Sequence, residues 1–207
     1  MSRPVEYRYC DPLDLVWIET ARRCGITVTR DPAVNASWDG QGQLRIGTAD
    51  LLDSDDCLAQ LILHEICHAL VAGPAGMQRP DWGLDYDNPR HRVFEHAALR
   101  VQAALADRHG LGEFLAATTD FREFQEGLPA DPLAGRDDPL DGRPAERCLP
   151  LARQAWQRAQ QPPWNPHLGE ALRATRDLVN AVKPFADASS LWSRNQRRPA
   201  ANQPVIS

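Results

Sequence analysis

The run His64-Glu65-Ile66-Cys67-His68 sets two imidazoles four residues apart with a carboxylate beside the first. On a helix, side chains at i and i+4 stack on one face, so His64 and His68 can offer ring nitrogens to one divalent metal. Two histidines make half of a catalytic site. Such a metal takes three protein ligands and keeps a position open for water or substrate. Glu95, His91 and His96 are the candidates for the third ligand, all near the start of a later helical stretch. Glu95 is preferred, because a carboxylate in an apolar, alanine-rich helix is costly to bury unless it is paired or on a metal. The competing reading is a solvent-facing glutamate served by Arg92 or Arg100 as an ordinary surface ion pair.

Two histidines and one carboxylate form the facial triad of non-haem iron oxygenases, and the same three form a thermolysin-like zinc site. In the zinc case Glu65 is the general base that takes a proton from water at the metal. In the iron case it orients a histidine, hydrogen-bonds a bound oxygen species or bridges a second metal. Cys67 lies inside the motif but turns away from the metal face, so it reads as a small buried side chain rather than a thiolate ligand.

These residues need elements to hold them. Apolar spacing from Asp55 through Leu63 after acidic capping residues, with Gly73-Pro74 as the stop, predicts a metal-bearing helix with the motif in its middle. Residues 12–24 form a first amphipathic helix. The pieces Ile26 to Thr29 and Gln43 to Gly47 are strand-like, and Trp38-Asp39-Gly40-Gln41-Gly42 between them is turn-forming, so a small sheet precedes the metal helix. The Gly-, Pro- and Asp-rich stretch 73–90 reads as a loop over the site, and a second main helix runs from Arg90 to His109, stopped by Gly110. Six prolines in 129–150 argue for an irregular connection. Helical pattern resumes at 151–160 and 168–192, with Pro184 bending or breaking the latter.

A chain of 207 residues with 43% hydrophobic and 25% charged residues suits one catalytic domain, 1–192, followed by a flexible tail, 193–207. The expected fold is a helix-rich α+β arrangement: a zincin-like metal helix, a small N-terminal sheet and C-terminal helices. A net charge of −5 and no basic run outside Arg194 to Arg198 argue against a nucleic-acid partner. Five scattered cysteines without a Cys-x-x-Cys pair read as reduced thiols. No signal-like start and no apolar run of roughly 18 residues are evident, so the expectation is a cytoplasmic protein with no membrane partner.

His64 to His68, Ala72-Gly73, Asp81-Trp82-Gly83, Tyr86, Phe94-Glu95 and Gln102-Ala103 resemble, in type and order, the elongation factor P hydroxylases. The match covers about residues 60–105, with a loop between Tyr86 and Phe94 about five residues shorter than that family's. The resemblance implies a non-haem metal enzyme that adds oxygen from dioxygen to a modified lysine on a protein, elongation factor P itself in that family. It puts His64, His68 and Glu95 on the metal, with Glu65 beside them as the catalytic carboxylate. Iron(II) is the expected metal and zinc(II) the alternative, in which case the chain is a metallopeptidase. Asp81, Trp82 and Tyr86 are the expected substrate-binding residues. Asp81 or Asp85 would face a lysine-derived ammonium, since a buried cation needs a paired charge. Asp81 has a plainer reading, a turn-former after Pro80.

Overall fold

The computed structural model describes residues 6–85, 88, 91–135 and 147–194. The chain opens with helix α1 (Pro12–Arg23), which starts where Asp11 accepts a hydrogen bond from the Leu13 backbone N–H and Pro12 presets the first helical turn. Its apolar face, led by the fully buried Trp17, packs into the core, and the indole N–H donates to Thr175 Oγ1 at 2.9 Å. A buried indole is costly unless its N–H is satisfied, so this bond ties the two ends of the chain together.

The sheet has three strands rather than two. β1 (Thr27–Arg30) pairs in parallel with β3 (Gln43–Ile46), and β2 (Ala36–Trp38) pairs antiparallel with the other edge of β3. Trp38, which the sequence placed in a turn, belongs to β2 opposite Leu44 and is buried. The turn begins one residue later, where Asp39 accepts from the N–H groups of Gln41 and Gln43. A three-residue strand is too short to show alternation, which is why it escaped the pattern.

α2 (Leu58–Gly76) carries the His64–His68 motif. It starts after the acidic residues rather than on them: Cys57 is the N-cap, and its N–H donates to the Gln60 side chain. At Gly73 the backbone turns to φ 67°, ψ −172° and the helix kinks, then continues to Gly76 instead of stopping. Pro74 has no N–H to give the carbonyl of Leu70. Arg158 supplies the missing donor, bonding Leu70 O at 2.6 Å and Val71 O at 3.0 Å. A side chain at position 73 would collide with that guanidinium, at 2.8 Å from Arg158 Cζ, so the kink needs glycine twice over. By length and hydropathy α2 could span a bilayer, contrary to the sequence reading that no stretch qualifies, but 78% of its apolar window is buried inside the fold.

α3 (Arg92–Asp107) lies against α2, and the chain turns away after it at Gly110, where φ is 70°. α5 (Cys148–Ala159) covers both, beginning three residues ahead of the predicted start because Pro150 is tolerated in a first turn. α6 (His167–Val182) packs on α1 and gives way to a 3-10 turn at Lys183–Phe185, so Pro184 breaks the helix. Between α3 and α5 is an element the periodicity did not mark, α4 (Thr119–Glu126). The fully buried Arg100 of α3, read from sequence as a surface partner, donates instead to the carbonyls of Pro132 and Ala134 and anchors the connection beyond α4. The fold is a helix-rich α+β arrangement with one main apolar core shared by α1, the sheet, α2, α3, α5 and α6. The predicted tail lies, from residue 195 on, outside the described residues.

Candidate metal centre

α2 and α3 pack face to face because both carry an apolar stripe, and the contact brings the middle of α2 onto the first turn of α3. There His64, His68 and Glu95 meet. The imidazole Nε2 atoms are 3.0 Å apart; His64 Nε2 lies 3.3 Å from Glu95 Oε1, and His68 Nε2 lies 3.2 Å from Glu95 Oε2. Atoms about 2.1 Å from one metal, at tetrahedral or right angles, sit roughly 3.0–3.4 Å from each other, so the triangle has the size of a three-ligand site. Among the described residues this is the one cluster of three metal-capable groups. His68 and Glu95 are buried, and the His64 side chain is 13% exposed.

The hydrogen bonds decide which lone pairs face the centre. Gln102 is fully buried on α3, seven residues after Glu95, and its amide N–H donates to Leu115 O at 3.1 Å. That fixes its carbonyl toward His64 Nδ1 at 2.9 Å, so Nδ1 must be the donor and, in the neutral ring, Nε2 carries the lone pair. Glu95 Oε1 is buried and accepts no hydrogen bond; its 3.3 Å approach to His64 is an ion-pair distance without hydrogen-bond alignment. A buried carboxylate oxygen and an inward imidazole lone pair at this distance require a cation between them or a proton on the ring.

The electrostatics agree. Burial alone would lower the His64 pKa, but the charges of Glu95 and then Glu65 outweigh it and raise it to about 9. Burial likewise disfavours the Glu95 carboxylate, yet His68 and His64 hold its pKa well below the usual range. Both shifts favour an imidazolium–carboxylate pair in the metal-free protein, and a metal would take the proton's place.

Of the other two candidates for third ligand, neither joins the cluster. His96 is buried and stacked on Phe124, with centroids 4.1 Å apart, and His91 accepts the Asp85 N–H on Nδ1 at 2.8 Å. Cys67 is fully buried, and burial pushes its thiol well above the ordinary range, as suits an inert core side chain.

Glu65 is buried beside the centre, and its Oε2 accepts the Trp82 indole N–H at 2.8 Å. Trp82 is held in turn by a parallel stack on Trp38, centroids 4.5 Å apart. Asp81 is turned to the sheet rather than to the cavity. Its carboxylate accepts the Trp38 backbone N–H at 3.1 Å and so joins the loop to β2, a long-range contact that neither sequence reading named. Asp81 and Trp82 both have positive φ, 46° and 59°, a strained pair that costs of order 1–3 kcal/mol per residue and is held by these contacts. Tyr86 lies outside the described residues.

A cavity of about 300 Å³ opens beside His68, bounded by Val71, Ala72, Leu84, Phe94, Trp82, Arg79 and His91. Neither Asp81 nor Asp85 is in its described wall. On the opposite side, Phe121 of α4 stacks over His64 at 6.4 Å. Sequence reasoning missed Gln102, Phe121 and Arg79 as parts of the site. Gln102 alone carried a signal, since i and i+7 share a helix face and it is polar on the buried one.

No protein-family model matches the chain, and neither a curated protein nor a solved structure matches it.

Proposed function

We propose that the chain is a metal-dependent hydroxylase that adds one oxygen atom to a side chain of a protein. The metal is iron(II), held in a zincin-like setting by His64, His68 and Glu95, and the enzyme works in the cytoplasm. The observation that carries this reading over hydrolysis is the engagement of Glu65. Its carboxylate is buried and already accepts the Trp82 indole, so it is placed to fix the loop over the site rather than to shuttle protons from water, as a peptidase base must.

When bound, the iron supplies activation of dioxygen. One oxygen atom enters a C–H bond of the substrate, and the other leaves as water with two protons and two electrons from an external reductant. The chain's own residues do the rest. Gln102 keeps the His64 Nδ1 proton in place so that Nε2 stays a ligand atom. Phe121 covers one side of the centre and Trp82 the other, which limits the access of water. The resemblance over residues 60–105 makes the modified lysine of elongation factor P the first substrate to try.

Intact-mass analysis of elongation factor P from cells with and without this gene tests the proposal. The expected result is a gain of one oxygen atom that depends on the gene and is lost with His68→Ala. A shortened polypeptide, or unchanged mass together with zinc-dependent cleavage of casein, would overturn it in favour of a zinc peptidase that uses Glu65 as base.

A further inference from the structure

The cavity beside His68 is apolar along Val71, Ala72, Leu84 and Phe94; apart from His68 and the Trp82 indole, whose N–H goes to Glu65, its wall carries two polar side chains, and both can donate. The first is Arg79. Its guanidinium lies against Gly83, where a Cβ would sit only 3.1 Å from Cζ, so the absence of a side chain there is what lets it seat. Among the described residues it has no hydrogen bond and no ion pair. The second is His91. A backbone N–H can only donate, so the 2.8 Å bond from Asp85 N makes Nδ1 the acceptor and leaves the proton of the neutral ring on Nε2. That N–H has no partner among the described residues.

The geometry points to recognition of a carboxylate on a short apolar stem in this cavity, held by the Arg79 guanidinium and the His91 Nε2–H. A guanidinium stays charged at any relevant pH and presents a planar fork matched to a carboxylate, while an imidazole N–H adds a second directional donor. The apolar walls suit the stem, and 300 Å³ is at the small end of ligand sites, room for a short chain rather than a folded segment. A lysine ammonium entering the same cavity would meet Arg79 as a like charge, so a modified lysine would have to approach the metal with its ammonium outside this cavity. This inference goes beyond the hydroxylase reading and stands on Arg79 and His91, whichever reaction the metal supports. The carboxylate can belong to a free acid or to a glutamate of a protein.

Calorimetric titration of the full chain, metal-free and zinc-loaded, tests it with three probes: hexanoate, hexylamine, and an end-blocked peptide with one glutamate. Hexanoate binding assigns the group to a free acid, and binding of the peptide alone assigns it to a protein side chain; either supports the inference. Arg79→Gln, at an exposed position, should weaken that binding on the order of ten- to a hundredfold while zinc uptake stays unchanged, and His91→Phe should weaken it as well. Tighter binding of hexylamine, no binding of either acid, or acid binding undiminished in Arg79→Gln would overturn it. Because the metal-free arm reads the cavity by itself, failure of the metal reading would appear separately, as absent zinc uptake with acid binding intact.

Discussion

His64 and His68 stand one turn apart on α2, yet their surroundings differ in kind. His64 is clamped by a buried amide that is itself clamped, through Gln102 to Leu115 O, and roofed by Phe121. The segment that supplies this clamp is fixed again by Gln60 to Ala116 O and by Gln125, which accepts from Ala117 N. His68 shares the centre with His64 but borders the cavity lined by Trp82 and Arg79, where the loop is joined to the rest of the fold by the Trp38 backbone N–H to Asp81, the Trp38–Trp82 stack and the Trp82 indole N–H to Glu65. Rigidity on one side and space on the other is what a reactive metal needs: ligands that cannot rotate and a face that substrate can reach.

The most damaging change removes the group both sides share. Glu95→Ala should lower metal affinity by more than a hundredfold, beyond the tenfold to hundredfold typical of outer-shell losses, in a competition titration with a chelating dye. Full metal retention would move the third ligand away from α3. On the clamped side, Gln102→Leu should cost ten- to a hundredfold in affinity, about 1.4–2.7 kcal/mol, because His64 is then free to change tautomer. Gln102→Glu, which keeps an acceptor at Nδ1, should recover part of it. If both variants bind metal like the parent, the clamp is only packing.

The open side should respond in stability and turnover rather than in metal. Trp82→Phe strips the buried Glu65 of its donor and should destabilise the chain by roughly 1–3 kcal/mol in urea unfolding, with metal content unchanged. Loss of metal in this variant would make Glu65 a ligand. The smallest effect is in pH. The His64 pKa, raised to about 9, means that its pairing stabilises the metal-free protein fully below its ordinary value near 6.5 and fades as pH climbs toward 9. The lowered Glu95 pKa contributes above its ordinary value near 4.5 and is lost as pH falls through its lowered pKa. With chelator present, the melting temperature should therefore drop between pH 6.5 and 9 by at least roughly 2–4 °C, the shift about 1 kcal/mol produces at this length. With metal bound, no such drop is expected, since binding displaces the proton. A flat profile with chelator would mean that His64 is neutral in the metal-free fold.

The sequence by itself determined which three groups meet, His64, His68 and Glu95, because i, i+4 geometry on a helix is local and a carboxylate on a buried alanine-rich face has few other uses. It determined the helix-rich α+β class, the apolar metal helix and the break at Pro184 for similar reasons, since each follows from neighbours within a few residues. It misassigned Trp38 and passed over α4, whose eight residues form a helix that covers His64 only because α3 and the 115–117 segment offer a surface for it. Only the tertiary structure decided that Gln102 orients His64, that Glu65 answers to Trp82, that Asp81 braces β2, and that Arg79 and His91 share a wall with His68. Those partners lie 11 to 43 residues apart in sequence, across loops whose course depends on packing, and no periodicity encodes such a distance.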